Sequence, residues 1–245
     1  MKFTKNYTVR WHDTGADRAM TPSRLLEIFQ ETATHHCRSV DHDLDVLRDK
    51  EGLGFVVVRL SMELIAPIYA MDEITVETFV TESKGLSFPR SYVIRRNNEI
   101  LAKAVSTWAL LRLENRSFVR VSEIDFGFEA EEPLTLSDDI PLRLRTPEST
   151  AFEEIGTREI YYSDVDYNLH MNNTKYPDML ANYLPDRDHR RITSIVLSYL
   201  HEARLGDTLT VLRATADDKD TFLLRLKAPD GSTVMDARIG TKYQE

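Results

Sequence analysis

Cysteine is nearly missing from this sequence: Cys37 stands alone among 245 residues. A lone thiol excludes an internal disulfide framework and suits a reducing cytosol, so a cytoplasmic location is expected. Long apolar runs are missing too. No stretch of eighteen or more apolar residues occurs, and no membrane-spanning helix or membrane partner is expected. The opening Met1-Lys2-Phe3-Thr4-Lys5 lacks the apolar core of a secretory signal. Positive charge is in deficit: 31 Lys and Arg face 40 Asp and Glu, a net charge of −9. Nucleic acid is therefore not the expected partner, because no strong basic field gathers phosphates. A local basic patch for an acidic partner stays open.

The chain has apolar content enough for a sizeable core, as one large domain or two small ones. Residues 3–10 alternate as a strand does. Thr21-Pro22 reads as an N-cap and first helical position, and Leu25, Leu26, Ile28, Phe29, Thr32 and Ala33 form one apolar helical stripe behind it. From Gly54 the character turns to β: Phe55–Ala66, Glu73–Ser83, Ser91–Arg96 and Leu101–Leu113, with Asn97-Asn98 as a hairpin-type turn. Between Glu123 and Thr150 the periodicity breaks down, and Glu129–Pro133 with Pro141 and Pro147 reads as a surface linker. The pattern then restarts. Thr157–Ser163 is strand-like, Asn172–Leu184 is a helix stopped by Pro185, and Arg191–Arg204, Thr208–Ala216, Thr221–Leu226 and Thr233–Tyr243 are β-rich.

The halves share more than order. Aligning Leu60-Ser61 with Leu197-Ser198 puts Ala66 on Ala203, and Asp72–Val76 meets Asp207–Val211. Tyr7–Asp13 lies over Arg158–Asp164. This is a divergent internal duplication, each copy a strand, a long helix and an antiparallel sheet. The expected division is residues 1–130, a linker over 131–150, and residues 151–245.

One stretch carries chemistry: Ser163-Asp164-Val165-Asp166-Tyr167-Asn168-Leu169-His170-Met171-Asn172-Asn173-Thr174-Lys175-Tyr176. If it is extended, Asp166, Asn168 and His170 point the same way. Asn172 and Asn173 are candidates to cap the helix that follows. Such residues are ordinarily turn and capping groups. A calcium loop fails, because Leu169 stands where a Gly is needed and Lys175 where a Glu should close the site. The duplication favours function over turn-making: the first copy aligns Gly15, Asp17 and Ala19 with the three groups, and Ile65 with Glu202. Glu202 itself ends an apolar strand, where Glu is uncommon.

Asp166-x-Asn168-x-His170-x-Asn172-Asn173-x-x-Tyr176, followed about thirty residues on by Leu197-Ser198-Tyr199-x-x-Glu202, resembles the acyl-[acyl carrier protein] thioesterases of plants and bacteria. The resemblance runs over essentially the whole chain, including the Trp11-x-x-Thr14-x-x-Arg18 opening. It implies an α+β tandem (double) hot-dog, two copies of a long helix wrapped by a curved antiparallel sheet. It also implies hydrolysis of a fatty acyl thioester on the phosphopantetheine arm of acyl carrier protein. The family's acting groups fall on Asp166, Asn168, His170 and Glu202. Glu202 is then a general base on water or a direct nucleophile forming an anhydride. Asn168 offers N–H donors to the thioester carbonyl. His170 donates to the carbonyl or the departing thiolate, or positions the water, while Asp166 orients Asn168 or His170. No metal or cofactor is called for. Plant members often carry Cys after the Glu; here it is Ala203, and Cys37 reads as a buried structural thiol.

In this reading the first copy holds the acyl chain, with Leu25, Ile28, Phe29, Phe55, Val57 and Leu64 as tunnel or plain core. Arg187-x-His189-Arg190-Arg191, and Arg90 with Arg95-Arg96, are candidate landing patches for the carrier. Three rivals remain: an acyl-CoA thioesterase, a non-catalytic acyl-binding regulator, and a hydratase-type hot-dog whose His-containing helix pattern is absent. Both a monomer and a homodimer are open.

Overall fold

Thr21 starts the principal helix as its sequence demands: its hydroxyl accepts the Arg24 N–H at 3.3 Å, and Pro22 occupies the first turn. The structure is a computed structural model describing residues 1–40, 42–216 and 218–244. The chain divides into two units, Met1–Leu60 with Leu64–Ser137, and Ser61–Glu63 with Asp138–Glu245.

The first unit contains β1 (Lys2–Thr8), α1 (Pro22–Ser39), α2 (Leu44–Glu51), β2 (Leu53–Leu64), β3 (Glu73–Val80), β4 (Phe88–Arg96), β5 (Glu99–Arg112) and the short β6 (Phe118–Val119). Its strands are ordered β1-β3-β4-β5-β2, with β6 on β5. Register lines up Thr78, Tyr92 and Ala104 across three strands, and Val76, Ile94 and Ala102 beside them. These six are buried, and α1 lays Leu25, Ile28 and Phe29 into the same core. The Phe29 and Tyr92 rings meet at 4.8 Å. Leu25, Ile28 and Phe29 are thus first of all packing residues.

Sequence periodicity did not anticipate α2. Asp43 caps it, Gly52 ends it at φ 64, and Leu47 packs on Leu53, Leu110 and Val119. Its left-handed C-cap is a position that favours glycine. Eight residues with a narrow apolar stripe leave little periodic signal.

Arg90 corrects one expectation. It is not surface but interior, 7% exposed, donating to His36 Nδ1 at 2.9 Å with the Phe128 ring 5.4 Å away. Burial, and then the neighbouring Arg90 charge, push His36 down to about 4. Cys37 is buried as expected; burial pushes its thiol up, with Arg90 pulling the other way. Arg96 is paired with Asp72 and Glu99 at 2.9 Å each.

The second unit contains β7 (Glu153–Glu159), α3 (Tyr176–Ala181), β8 (Arg190–Tyr199), β9 (Thr208–Thr215), β10 (Thr221–Lys227) and β11 (Thr233–Tyr243). The order is β8-β11-β10-β9-β7. Ile195, Ile239 and Phe222 lie side by side across the sheet, as do Leu197, Ala237 and Leu224, all buried. The helix expected over 172–184 is much shorter. Asn173–Lys175 form a 3-10 turn and α3 adds six residues, because Asn172 caps the tighter turn through the Thr174 N–H at 3.0 Å. Among the described residues, no helix is long and apolar enough to cross a membrane.

The second basic cluster also changes character. Arg190 is 5% exposed, bonded to Asp220 at 2.8 Å and Thr241 at 2.9 Å, with the Tyr243 ring at 4.0 Å. It begins β8, whereas Glu202 lies beyond the other end, about 30 Å away at ordinary strand rise.

A candidate active site in the second unit

Asp164 founds the loop that carries the predicted groups. It closes the 3-10 turn Tyr162–Asp164, and its buried carboxylate accepts the Tyr161 N–H at 2.9 Å and the Arg158 guanidinium at 2.6 Å. The Asn172 N–H returns to the Asp164 carbonyl at 2.9 Å, closing the loop at its far end. Between these anchors the chain is not extended, contrary to the sequence expectation. Asp166 donates its N–H to the His170 carbonyl at 2.9 Å, and Leu169 returns an N–H to the Asp166 carbonyl at 3.0 Å. Leu169 is left-handed, at φ 61. The physical reason is this pair of backbone bonds around a left-handed residue; the Asp166 side chain reinforces the turn, its Oδ1 taking the Asn168 N–H at 2.8 Å. Its Oδ2 lies 3.5 Å from Asn168 Nδ2. Of the two groups the sequence offered Asp166, Asn168 is the one it bonds.

Glu202 arrives on a second turn. Strand β8 ends at Tyr199, short of the expected Arg204, because the Leu200 and His201 N–H groups both converge on the Val234 carbonyl, at 2.9 and 3.1 Å. The chain then pairs with the first loop. Met171 N–H meets Ala203 O at 2.8 Å, Leu205 N–H meets Leu169 O at 3.2 Å, and His170 and Arg204 form an antiparallel bridge. That pairing sets His170 Nε2 3.5 Å from Glu202 Oε2, with the side chains 24% and 37% exposed. A contact this open adds little stability. Its position is suited instead to chemistry on something arriving from solvent.

Two tyrosines of the motif had been given no role. Tyr176 opens α3, is 3% exposed, and meets Tyr199 edge-on at 5.8 Å. The Tyr199 hydroxyl donates to Asn173 O at 3.1 Å. Burial first, then the negative charges of Asp207 and Glu202, push the Tyr176 phenol above its ordinary range. The available sequence signal was their place inside a polar motif.

The first unit repeats the backbone of this loop without its chemistry. Arg10 N–H meets Asp13 Oδ2 at 2.9 Å, Gly15 N–H meets Ala19 O at 2.9 Å, and Arg18 N–H meets Gly15 O at 3.0 Å. Arg18 has φ 62, matching Leu169. Gly15, Asp17 and Ala19 thus stand where Asp166, Asn168 and His170 do, as the sequence alignment had it. The partner of Glu202 is corrected. Ile65 and Ala66 N–H groups converge on Leu101 O as Leu200 and His201 do on Val234 O, so Pro67, not Ile65, corresponds to Glu202. Either way the first unit has no carboxylate there.

Two units of this architecture, one bearing a polar set on a shared loop, define a tandem hot-dog protein. Solved structures with this fold include an acyl-ACP thioesterase from Bacteroides thetaiotaomicron, with TM-score 0.87, 19% identity and 98% of each chain covered. Another is the 12:0-ACP thioesterase from Umbellularia californica, with TM-score 0.83, 22% identity, and 99% of this chain and 98% of that one covered. The family is given by sequence. Residues 1–125 match the acyl-ACP thioesterase N-terminal domain and residues 148–245 the C-terminal domain, so the chain belongs to the acyl-ACP thioesterase family. Relatives include the chloroplastic palmitoyl-acyl carrier protein thioesterase of Gossypium hirsutum, 26% identical over 231 residues, covering 88% of this chain and 55% of that protein. The Arabidopsis thaliana protein of the same description is 26% identical over 263 residues, covering 96% of this chain and 63% of that one. The chain thus spans little more than half the length of these relatives.

Proposed function

We propose that this protein hydrolyses the thioester joining a fatty acyl chain to the phosphopantetheine arm of acyl carrier protein. The observation that carries the reading is the Glu202–His170 pair at 3.5 Å, with His170 on the same loop as Asn168, whose side-chain amide meets Asp166 Oδ2 at 3.5 Å, while the matching positions of the first unit lack all of these groups. Glu202 takes a proton from water as the water oxygen bonds to the acyl carbon. The Asn168 side-chain amide donates to the carbonyl oxygen, where negative charge develops. The C–S bond then breaks, His170 gives the sulphur a proton, and Glu202 returns its own proton to His170. The products are a fatty acid and the carrier thiol.

In this proposal residues 151–245 are the catalytic copy. Residues 1–130, without the polar set, hold the acyl chain, and residues 131–150 link the two. The buried lone thiol of Cys37 suits a reducing, cytoplasm-like compartment. Ala203 beside Glu202 supports a water mechanism over a cysteine acyl-enzyme. The test is turnover of one acyl chain presented on acyl carrier protein and on coenzyme A. Higher kcat/KM with the carrier protein is expected; equal or better turnover of the CoA ester would replace the carrier assignment with an acyl-CoA thioesterase.

A further inference from the structure

One cation stands against the candidate site and is unused by the proposed reaction. The bonds from Met171 N–H to Ala203 O at 2.8 Å and from Leu205 N–H to Leu169 O at 3.2 Å flank the His170–Arg204 bridge. His170 and Arg204 therefore face each other with no hydrogen bond between their own backbones. In antiparallel pairing that is the closer kind of pair, with both side chains on one side. Glu202 lies two residues before Arg204 and Ala203 between them is buried, so alternation puts Glu202 on that side as well. The His170–Glu202 contact at 3.5 Å agrees. Arg204 is exposed, and its guanidinium makes no hydrogen bond or ion pair among the described residues.

The first unit shows that this turn does not ask for a cation. There Ala19 bridges to Tyr69 as His170 bridges to Arg204. The Tyr69 N–H reaches Asp72 Oδ2 at 2.9 Å, as the Arg204 N–H reaches Asp207 Oδ2 at 2.7 Å. That backbone bond is common to both units and belongs to the fold. What differs is the side chain: an exposed Tyr69 in one unit, and in the other a guanidinium with its fork of N–H donors. Folding leaves those donors to whatever arrives from solvent.

Resting on the thioesterase reading above, we propose that Arg204 binds the pantetheine arm of the substrate, donating from its guanidinium to the carbonyl of the amide nearest the sulphur. In that reaction the sulphur leaves beside His170, and a pair of methylenes separates it from this amide. A side chain paired with His170 reaches that carbonyl. The phosphodiester lies beyond a second amide and the branched end of the arm, out of its reach. The acyl oxygen is already served by Asn168. The contact orients the C–S bond against Glu202 and His170, and it selects thioesters that carry the amide.

The experiment sets the N-acetylcysteamine thioester of one fatty acid, which keeps the near amide, against its pentanethiol ester, in which methylenes replace that amide. Wild type, Arg204→Met and His170→Ala are compared on both esters and on the acyl carrier protein thioester, with thermal unfolding beside the kinetics. Met keeps the apolar stem and removes the donors, and the backbone bond to Asp207 stays. The expected result is a wild-type preference of about tenfold in kcat/KM for the amide-bearing ester, lost in Arg204→Met, with a loss of about tenfold on the carrier thioester. Turnover of the pentanethiol ester and the unfolding temperature stay at wild-type values. No preference in wild type, or a preference that survives in Arg204→Met, overturns the arm contact; carrier-thioester turnover that is lost in His170→Ala then leaves hydrolysis and its site standing. Full turnover in His170→Ala overturns the site assignment and this proposal with it. No turnover of any of the three thioesters by wild type overturns the hydrolysis reading, and again this proposal with it.

Discussion

His36 shows how far one buried residue departs from its behaviour in water. It is 1% exposed, and Arg90 donates to its Nδ1, so the ring must be neutral there. Its folded value of about 4 lies below its ordinary 6.5. Above the ordinary value neither state binds the proton. As pH falls through the window between the two, the unfolded chain is protonated first, so stability drops by about 3 kcal/mol and then levels off. Urea unfolding between pH 7 and 4 should therefore show a smaller loss in His36→Gln, which keeps an acceptor for Arg90 and cannot titrate. Equal losses in both proteins would contradict the assignment. Cys37 gives a second residue-scale test. Buried, its thiol pushed up, it should react slowly with iodoacetamide in the native protein. Cys37→Ala should keep kcat within about twofold while losing about 1 kcal/mol of stability. Inactivation of that variant would restore a cysteine mechanism.

Elements were legible to the degree that one local signal dominated them. Thr21-Pro22 and the apolar stripe behind them placed α1 correctly, and the turn at Asp230-Gly231 bounded β11, whose observed span Thr233–Tyr243 is the expected one. Thr21→Ala should cost about 1 kcal/mol by losing the cap, read as a lower denaturant midpoint with unchanged slope. An unchanged midpoint would mean that tertiary packing alone starts the helix. Where two local signals competed, the reading failed. Around Asp166 the alternation of polar residues pointed to a strand, and two backbone bonds, Asp166 N–H to His170 O and Leu169 N–H to Asp166 O, closed a turn instead. At Asn172 the apolar pattern pointed to a helix through Leu184, and the cap produced a 3-10 turn before a short α3. The left-handed Arg18 and Leu169 show that strain in this loop belongs to its backbone design. The unit without the polar set carries it too.

At the scale of the molecule, duplication was the signal that singled out the candidate residues. Two loops with one backbone and different side chains separate what the fold requires from what it does not. Asp13 and Asp164 are required, each holding its 3-10 turn. Asp166, Asn168, His170 and Glu202 are not required by the fold, because the first unit makes the same turns without them. That Asp166, Asn168 and His170 lie on one loop was legible from their spacing. The His170–Glu202 approach was not, since it depends on pairing between segments far apart in sequence, at Met171 with Ala203 and Leu205 with Leu169. The basic clusters misled for a related reason: whether Arg90 or Arg190 faces water is decided by neighbours that charge counting cannot see.

The most direct measurement is free-thiol release from a ladder of acyl carrier protein thioesters by wild type, Glu202→Ala and His170→Ala. The account predicts turnover by wild type and losses of about a hundredfold or more in each variant, with folding unchanged. Wild-type rates in both variants, or acyl-chain binding without thiol release by any form of the protein, would contradict it.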